Sequence, residues 1–184
     1  AEASEEIATK LRLGWPQLAR EIAGGLEALH ALDLAHLALH PGNVMLDNHT
    51  RVRLADYALP MELVVKRRER VEAMDPPSEL LVEHQLYLAP ELLRAMVGLA
   101  EDESDESLAP SDIWSLGCIV MRLLTLEPPY ADASLDAERS GAAGLFSQTL
   151  PKIASGELHP AARLEEALHP WKPSEAAVPP QAAT

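Results

Sequence analysis

Apolar residues recur every three to four positions near the start of the chain. Over residues 15–34 this spacing places them on one face of a helix, so the sequence predicts a buried amphipathic helix there. The face is formed by Leu18, Ile22, Leu26 and Leu29. Gly24 and Gly25 interrupt this stretch, although each Gly costs about 1 kcal/mol of helix stability relative to Ala. We therefore expect another part of the protein to pack closely against the glycine pair.

Two short apolar segments follow the predicted helix. Residues 44–46 and 51–55 are separated by Asp47-Asn48-His49-Thr50, and these residue types favour turns. Two short apolar runs joined by a polar turn are typical of an antiparallel pair of strands. The sequence therefore predicts a β-hairpin at this point.

The most apolar part of the chain is residues 113–126, which are mostly Ile, Leu, Val, Met, Trp and Cys. A helix that is apolar on every side belongs in the interior of a protein, so we expect a central buried helix here. Pro128-Pro129 should end it, because proline cannot continue a helix. Two further helices are predicted over residues 142–153 and 161–168.

The other segments show no sustained hydrophobic period. Residues 57–86 suit a long surface segment, and the basic run at 66–70 within it is interpreted as a solvated loop, with a docking strip for acidic partners as the alternative. The acidic run 101–107 predicts a solvated loop insertion. The predicted organisation is a preamble at 1–10, one domain at 11–172, and a disordered Pro- and Ala-rich tail at 173–184.

Composition narrows the classes of function. The 184 residues include 15 Lys and Arg against 29 Asp and Glu, and the net charge of −14 would repel nucleic acid, which is therefore not an expected partner. No apolar run is long enough for a membrane span. Cys118 is the single cysteine, which favours a reducing, cytoplasmic compartment. The chain opens without Met or a leader, so we expect it to be linked to further domains of a longer protein.

Four short motifs occur in order along the chain. They are His36-Leu37-Ala38-Leu39-His40-Pro41-Gly42-Asn43, Asp56-Tyr57-Ala58, Ala89-Pro90-Glu91 and Ser111-Asp112-Ile113-Trp114. Their order resembles that of protein kinases, in which a catalytic loop H-R-D-L-x-x-x-N precedes D-F-G and A-P-E. The resemblance implies a mainly α (α+β) fold, a protein-kinase-like C-lobe with a small β-hairpin.

The resemblance also assigns positions where chemistry would occur, and the sequence departs from the family at three of them. Ala38 replaces the Asp that accepts the substrate proton, so no catalytic residue is predicted. His40 stands where a Lys would stabilise the transferring phosphoryl group, and Leu37 replaces the Arg that senses a phosphorylated activation segment. Asn43 and Asp56 keep the metal- and cofactor-binding positions as vestiges, or only hold their turns in shape.

Structural roles are implied for other motif residues, namely His36, Ala89, Pro90, Glu91, Asp112 and Trp114. We expect Asp112 to cap the start of its helix and to anchor the catalytic-loop backbone. In active relatives Glu91 pairs with a late Arg. The best-aligned position here is around His159-Pro160, so that bridge is expected to be weak, with Arg163 as a less favoured substitute.

The other half of a kinase is not expected in this chain. The 35 residues before His36 contain no Gly-rich loop and no V-A-I-K-like strand, so an N-lobe should be absent. The resemblance therefore implies no cofactor for this chain, and Mg-ATP only if an N-lobe lies upstream.

Among pseudokinases, the pattern His-x-Ala-Leu-x-Pro-x-Asn with Tyr87-Leu88-Ala89-Pro90-Glu91 is similar to the TBC-domain-containing protein-kinase-like proteins. These join a pseudokinase to a Rab-GTPase-activating TBC domain and a rhodanese-like domain. The implied function is a catalytically inactive binding or scaffolding module for protein partners. One alternative is an ATP-binding kinase domain with residual phosphotransfer in the full-length protein. Another is an unrelated helical interaction domain in which the motif order is accidental.

Overall fold

Helices dominate the part of the protein that the computed structural model describes, which is residues 2–57, 84–96, 108–131 and 148–160. The only sheet in these ranges has two strands, as the predicted α+β class requires. In chain order the elements are α1 (Glu2–His30), a 3₁₀ turn (Pro41–Asn43), β1 (Val44–Leu46), β2 (Val52–Leu54), α2 (Pro90–Met96), α3 (Ala109–Thr125) and α4 (Leu150–Ala154).

Helix α1 presents the predicted apolar face to the interior. Ile22 and Leu26 are each 1% exposed, and they pack in the core beside α3 and β2. The helix is longer than predicted, because it begins at Glu2 and continues through Pro16. The residues before Pro16 are largely Ala, Glu, Lys, Leu and Arg, which are strong helix formers, so part of the predicted preamble is helical.

The end of α1 is closed by backbone hydrogen bonds. The N–H of Leu34 donates to the carbonyl of Leu29 at 3.1 Å, and the N–H of Asp33 donates to the carbonyl of His30 at 3.0 Å. Asp33 adopts a left-handed φ of 56°. This pair of bonds with a left-handed residue is the Schellman motif, which satisfies the last carbonyls of a helix and turns the chain away from its axis. The turn leads directly into the residues of the first motif.

The predicted hairpin is confirmed. Strands β1 and β2 are antiparallel, with Val44 opposite Leu54 and Leu46 opposite Val52. The Asp47 carboxylate organises the turn by accepting hydrogen bonds from the N–H groups of His49 and Arg51, at 2.9 and 3.0 Å. These bonds lower the pKa of Asp47.

A carboxylate of α1 joins the hairpin to the helical part of the protein. The Glu21 carboxylate accepts a hydrogen bond of 2.8 Å from the N–H of Val52, at the start of β2. This bond is the largest cause of the lowered pKa of Glu21. It satisfies a backbone donor of the strand and sets the hairpin against α1, which positions the two motifs that flank the hairpin.

The two glycines of α1 have different surroundings. A Cβ atom on Gly25 would lie 2.8 Å from Cδ1 of Leu54, whereas one on Gly24 would have no neighbour within 4 Å. The expected close approach is therefore present at Gly25 and absent at Gly24. Packing of α1 against β2 requires a residue without a side chain only at the second of the two positions.

Helix α3 begins at Ala109, four residues before the predicted start, and ends at Thr125, before the predicted prolines. It is not buried on every side, because Ile113 is 55% exposed. Its buried residues include Ser111, Asp112 and Ser115, which bond to other segments. The expectation of a helix buried all round was wrong, because its apolar residues are not all used in the core and polar residues take part of the inward face.

One apolar core joins all the helices. Its buried members are Ile22, Leu26, Leu37, Leu39, Leu86, Tyr87, Leu88, Ala89, Leu92, Leu93, Cys118, Ile119, Tyr130, Leu150, Ile153 and Ala154. Burial raises the pKa of the Cys118 thiol to about 12, so Cys118 packs as a small apolar residue and carries no charge at neutral pH. Within the described ranges, no helix combines the length and apolar character needed to cross a membrane.

Some sequence predictions concern residues that the structure only partly describes. The surface segment predicted at 57–86 is wrong at its end, because Gln85 and Leu86 are buried. The helix predicted at 142–153 is seen at its end as α4, Leu150–Ala154. The predictions for 66–70, 101–107, 161–168 and 173–184 fall outside the described residues.

The glycine pair yields a matched test of the packing between α1 and β2. We expect Gly24→Ala to raise the free energy of unfolding by about 0.5–1 kcal/mol, because alanine is the better helix former and the site is open. Gly25→Ala should be about 1–2 kcal/mol less stable than Gly24→Ala, because its methyl group meets Leu54. Urea unfolding measures both variants, and equal stabilisation by the two substitutions would contradict this packing.

Candidate active site

The first motif forms a loop, residues 36–43, that lies between α1 and β1 and is called the His36–Asn43 loop below. Its side chains are largely inside the protein: His36 is 0% exposed, Leu39 1% and His40 6%. Leu37 is also buried, and it adopts a left-handed φ of 60°. A leucine adopts this conformation only when its surroundings impose it, so the loop is held firmly by its contacts.

The main contact is the carboxylate of Asp112, in the first turn of α3. Asp112 is 1% exposed and accepts hydrogen bonds from the N–H groups of His36 and Leu37, at 2.7 and 2.9 Å. The Nε2 atom of His30, at the end of α1, lies 2.8 Å from the same carboxylate. Asp112 therefore bonds to the loop backbone as predicted. The predicted capping is not seen, because the N-cap of α3 is Leu108 and has no side-chain cap bond.

Asn43 connects the loop to the hairpin. Its side-chain Nδ2 donates a hydrogen bond of 2.8 Å to the carbonyl of Ala38, and its own carbonyl accepts a bond of 2.9 Å from the N–H of Ala55. Asn43 is 6% exposed. The residue predicted as a metal ligand therefore fixes the backbone at the position of the absent base and also holds the residue that precedes Asp56. Its Oδ1 atom is the donor that remains for a cation.

Asp56 lies directly after the residue that Asn43 holds. It is exposed and adopts a left-handed φ of 55°, which aspartate tolerates better than most residues. Its carboxylate interacts electrostatically with the His36 imidazole. Asn43, Asp56 and His36 therefore belong to one site, as the motif spacing predicts. Ala38 contributes only a methyl group to it, which is partly buried.

The His36 imidazole is buried among these groups. Burial lowers its pKa, and the negative charges of Asp112 and Asp56 oppose that shift only in part. The Nδ1 atom of His36 accepts a weak bond of 3.4 Å from the N–H of Ala38, whereas Nε2 has no hydrogen-bond partner among the described residues. An imidazole in this environment is neutral at physiological pH. It supports the loop as an uncharged ring.

His40 occupies the position at which the family has a lysine. Its Nδ1 atom accepts a hydrogen bond of 3.1 Å from the N–H of Gly42, so that nitrogen carries no proton and the ring is uncharged in this arrangement. The ring stacks on that of His84, with 3.7 Å between ring centroids and 15° between planes. Sequence reasoning missed His84, which lies in a stretch without a hydrophobic period and belongs to no motif.

The third motif lies at the start of α2. Ala89 is fully buried and Pro90 is the first residue of the helix. Glu91 accepts a hydrogen bond of 2.7 Å from the Ser111 hydroxyl, a partner that the sequence did not suggest. His159, proposed as the aligned position of the late Arg, instead packs edge-on against Trp114, with centroids 5.5 Å apart. Arg163 lies outside the described residues.

The segment before α2 is fixed to α3 by polar contacts. The Ser115 hydroxyl donates to the carbonyl of Tyr87 at 2.7 Å, and the Arg122 guanidinium donates to the Tyr87 hydroxyl at 2.9 Å. At the other end of α2, Arg94 donates to the carbonyl of Ala154 in α4 at 2.8 Å. These pairs are far apart in the sequence, and nothing in the local pattern predicts them. Together they make α3 the common support of the loop and of the third motif.

Comparison with known proteins agrees with this arrangement. Residues 12–167 match the family described as "Protein kinase domain". The chain is 31% identical to the serine/threonine-protein kinase CLA4 of Eremothecium gossypii over 130 residues, which are 71% of this chain and 14% of that protein. It is 29% identical to mitogen-activated protein kinase kinase kinase 5 of Arabidopsis thaliana over 143 residues, 75% of this chain and 18% of that protein. The chain thus spans less than a fifth of either relative's length.

The carboxylate of Asp112 can be tested by substitution. Asp112→Asn should lower the free energy of unfolding by about 1–3 kcal/mol, because its amide group cannot accept hydrogen bonds from both buried N–H groups. Asp33→Asn makes the same chemical change at an exposed position and should alter stability by no more than about 0.5 kcal/mol. Urea unfolding compares the two. Equal effects would show that Asp112 does not hold the loop.

The buried His36 predicts a pH dependence of stability. Its folded-state pKa lies below its value in the unfolded chain, so the unfolded chain binds the extra proton first as the pH falls. The contribution is therefore fully present above about pH 6.5 and is lost progressively below it, with a slope of at most about 1.4 kcal/mol per pH unit.

Chemical unfolding between pH 8 and pH 5 measures this slope. His36→Gln should flatten it, because the titrating group is removed, whereas His49→Gln, at an exposed turn position, should leave it unchanged. A slope that is the same in His36→Gln as in the unsubstituted protein would contradict the lowered pKa of His36.

Proposed function

Because the chain belongs to the protein kinase family, we propose that it is a catalytically inactive C-lobe of that family, a pseudokinase fragment that acts as a binding module within a larger protein. The observation that carries the proposal is Ala38. Its backbone is held at the position of the catalytic base by the bond from Asn43, while its side chain offers no proton acceptor. A positioned base typically contributes about 10²- to 10⁴-fold to a rate.

The neighbouring groups support the same conclusion. In active kinases a lysine stabilises the charge of the transferring phosphoryl group. His40, which stands in its place, uses Nδ1 as an acceptor for the Gly42 N–H and so carries no positive charge there. Two of the groups that would assist the transfer, the base and the cation, are therefore replaced by a methyl group and a neutral ring.

The remaining polar groups fit a magnesium ion in part. Magnesium prefers oxygen ligands, and Asn43 Oδ1 and the Asp56 carboxylate are the oxygen donors of this site. When bound, Mg-ATP would supply the phosphoryl group and the charge that neutralises its oxygens. Asn43 and Asp56 would hold the ion, and no described residue at position 38 or 40 would then move a proton or balance the developing charge. We therefore propose no cofactor for this chain by itself.

An apolar surface supports the role of a binding module. Met45 is 57% exposed, Leu46 55% and Tyr57 52%, and all three lie on the hairpin or just after Asp56. Neighbouring residues of a strand point to opposite faces, so Met45 and Leu46 expose both faces of β1. Exposed apolar side chains that cluster in this way are typical of contact surfaces. We propose that a protein partner, or an N-lobe encoded upstream, contacts this surface in the cytoplasm.

Two alternatives remain as proposals. The oxygen donors Asn43 and Asp56 favour residual phosphotransfer by a full-length protein that supplies an N-lobe. The resemblance of the loop to TBC-domain-containing protein-kinase-like proteins suggests instead a parent protein with TBC and rhodanese-like domains. The gene sequence on both sides of the chain distinguishes them, since a Gly-rich loop and a strand lysine would precede Ala1 only in the first case.

Phosphotransfer from labelled ATP tests the proposed inactivity. We expect no transfer from the unsubstituted chain, and none from Ala38→Asp, because His40 still replaces the lysine and this chain holds no phosphate clamp. Ala38→Asn, which has the same size as Asp but cannot act as a base, is the matched control. Millimolar Mg-ATP should also cause no thermal shift.

Two results would overturn the proposal. One is phosphate incorporation by the unsubstituted chain that Asp56→Asn abolishes. The other is incorporation by Ala38→Asp but not by Ala38→Asn, which would show that Ala38 alone prevents catalysis.

A further inference from the structure

The His36–Asn43 loop touches the segment before α2, residues 84–89, through side chains outside the catalytic positions. In kinases such a loop is coupled to the activation segment by an arginine that binds a phosphate group. Leu37 stands at that position, and it is buried in the core that also contains Leu86, Tyr87 and Leu88. An apolar side chain in the core cannot bind phosphate. The coupling must therefore have another physical basis.

The second contact is the stack of His40 on His84. The two rings are 3.7 Å apart and almost parallel, which joins the loop to the first described residue of the segment. Gly42 allows the approach, because a Cβ atom there would lie 3.4 Å from His84 Nε2 and 3.0 Å from the His40 ring. Stacked rings at this distance bury apolar area and favour one relative orientation.

Both sides of this contact are attached to α3. On the loop side, Asp112 binds the N–H groups of His36 and Leu37. On the segment side, Ser115 binds the carbonyl of Tyr87, one helical turn further along α3. The stack therefore closes a ring of contacts that runs from α3 through the loop and the segment and back to α3.

We propose that Leu37 burial and the His40–His84 stack form a constitutive lock, which couples the loop to the 84–89 segment without a phosphate group. The lock accounts for the left-handed backbone of Leu37, which persists because its N–H group and its side chain are both fixed. It extends the proposed function, since a module with this lock presents one fixed surface whatever its phosphorylation state. The lock itself rests on contacts that do not depend on catalytic inactivity.

Amide hydrogen exchange tests the lock from both sides. His84→Ala should speed exchange of the Gly42 and Asn43 amides about three- to tenfold, the range expected for loss of an aromatic stack. His40→Ala should do the same at Tyr87 and Leu88, whose N–H groups bond to backbone carbonyls that the substitution leaves in place. The double variant should exchange no faster at any of these amides than the faster single variant. His49→Ala is the matched control and should change none of them.

A second arm tests independence from phosphate. Treatment of the purified chain with a protein phosphatase should leave all four protection factors unchanged. Leu37→Arg, which restores the family residue, should speed exchange on both sides, because a guanidinium cannot replace Leu37 in the core. If Leu37→Arg does not fold, the histidine variants still decide the question.

The lock would be overturned by exchange that changes only in the substituted segment, by additive effects in the double variant, or by protection that phosphatase treatment abolishes. These outcomes are independent of the phosphotransfer assay. An active enzyme with coupled segments would refute the proposed function alone, and an inactive chain with uncoupled segments would refute the lock alone.

Discussion

The carboxylate of Asp112 is the interaction on which the arrangement of the site depends. It is almost fully buried, it accepts two backbone N–H groups from the His36–Asn43 loop, and it contacts His30 at the end of α1. A buried carboxylate is stable only when its oxygen atoms are well bonded, so the loop and α1 must both take the positions that satisfy it. Asp112 thus joins α1, the loop and α3 at one point.

The other contacts of the site extend outward from that point. Asn43 carries the position of the loop to Ala38 on one side and to the hairpin on the other. Glu21 holds the hairpin against α1, which itself meets Asp112 through His30. The geometry of a kinase loop is therefore maintained by bonds that do not involve the catalytic base. This explains how Ala38 can replace an aspartate while the surrounding structure is retained.

Features with a strong local signal could be predicted from the sequence. The hairpin followed from a polar turn between apolar runs, and the apolar face of α1 followed from its spacing. The bond from Asp112 to the loop was expected only through the family resemblance. The start of α1 and the partial exposure of Ile113 were not predicted, because tertiary packing decides them. Ser111, His84 and Arg122 were missed because pairs distant in the sequence leave no periodic trace.

The central claim is that Asp112 holds the His36–Asn43 loop as part of the cooperative core although no catalytic base is present. The exchange rates of the His36 and Leu37 amides, measured in increasing concentrations of denaturant, test it most directly. The account predicts that both amides exchange only through global unfolding, with the same free energy and the same denaturant dependence as the amides of Ile22 and Leu26 in α1. Exchange of His36 and Leu37 through a local opening that is insensitive to denaturant would contradict it.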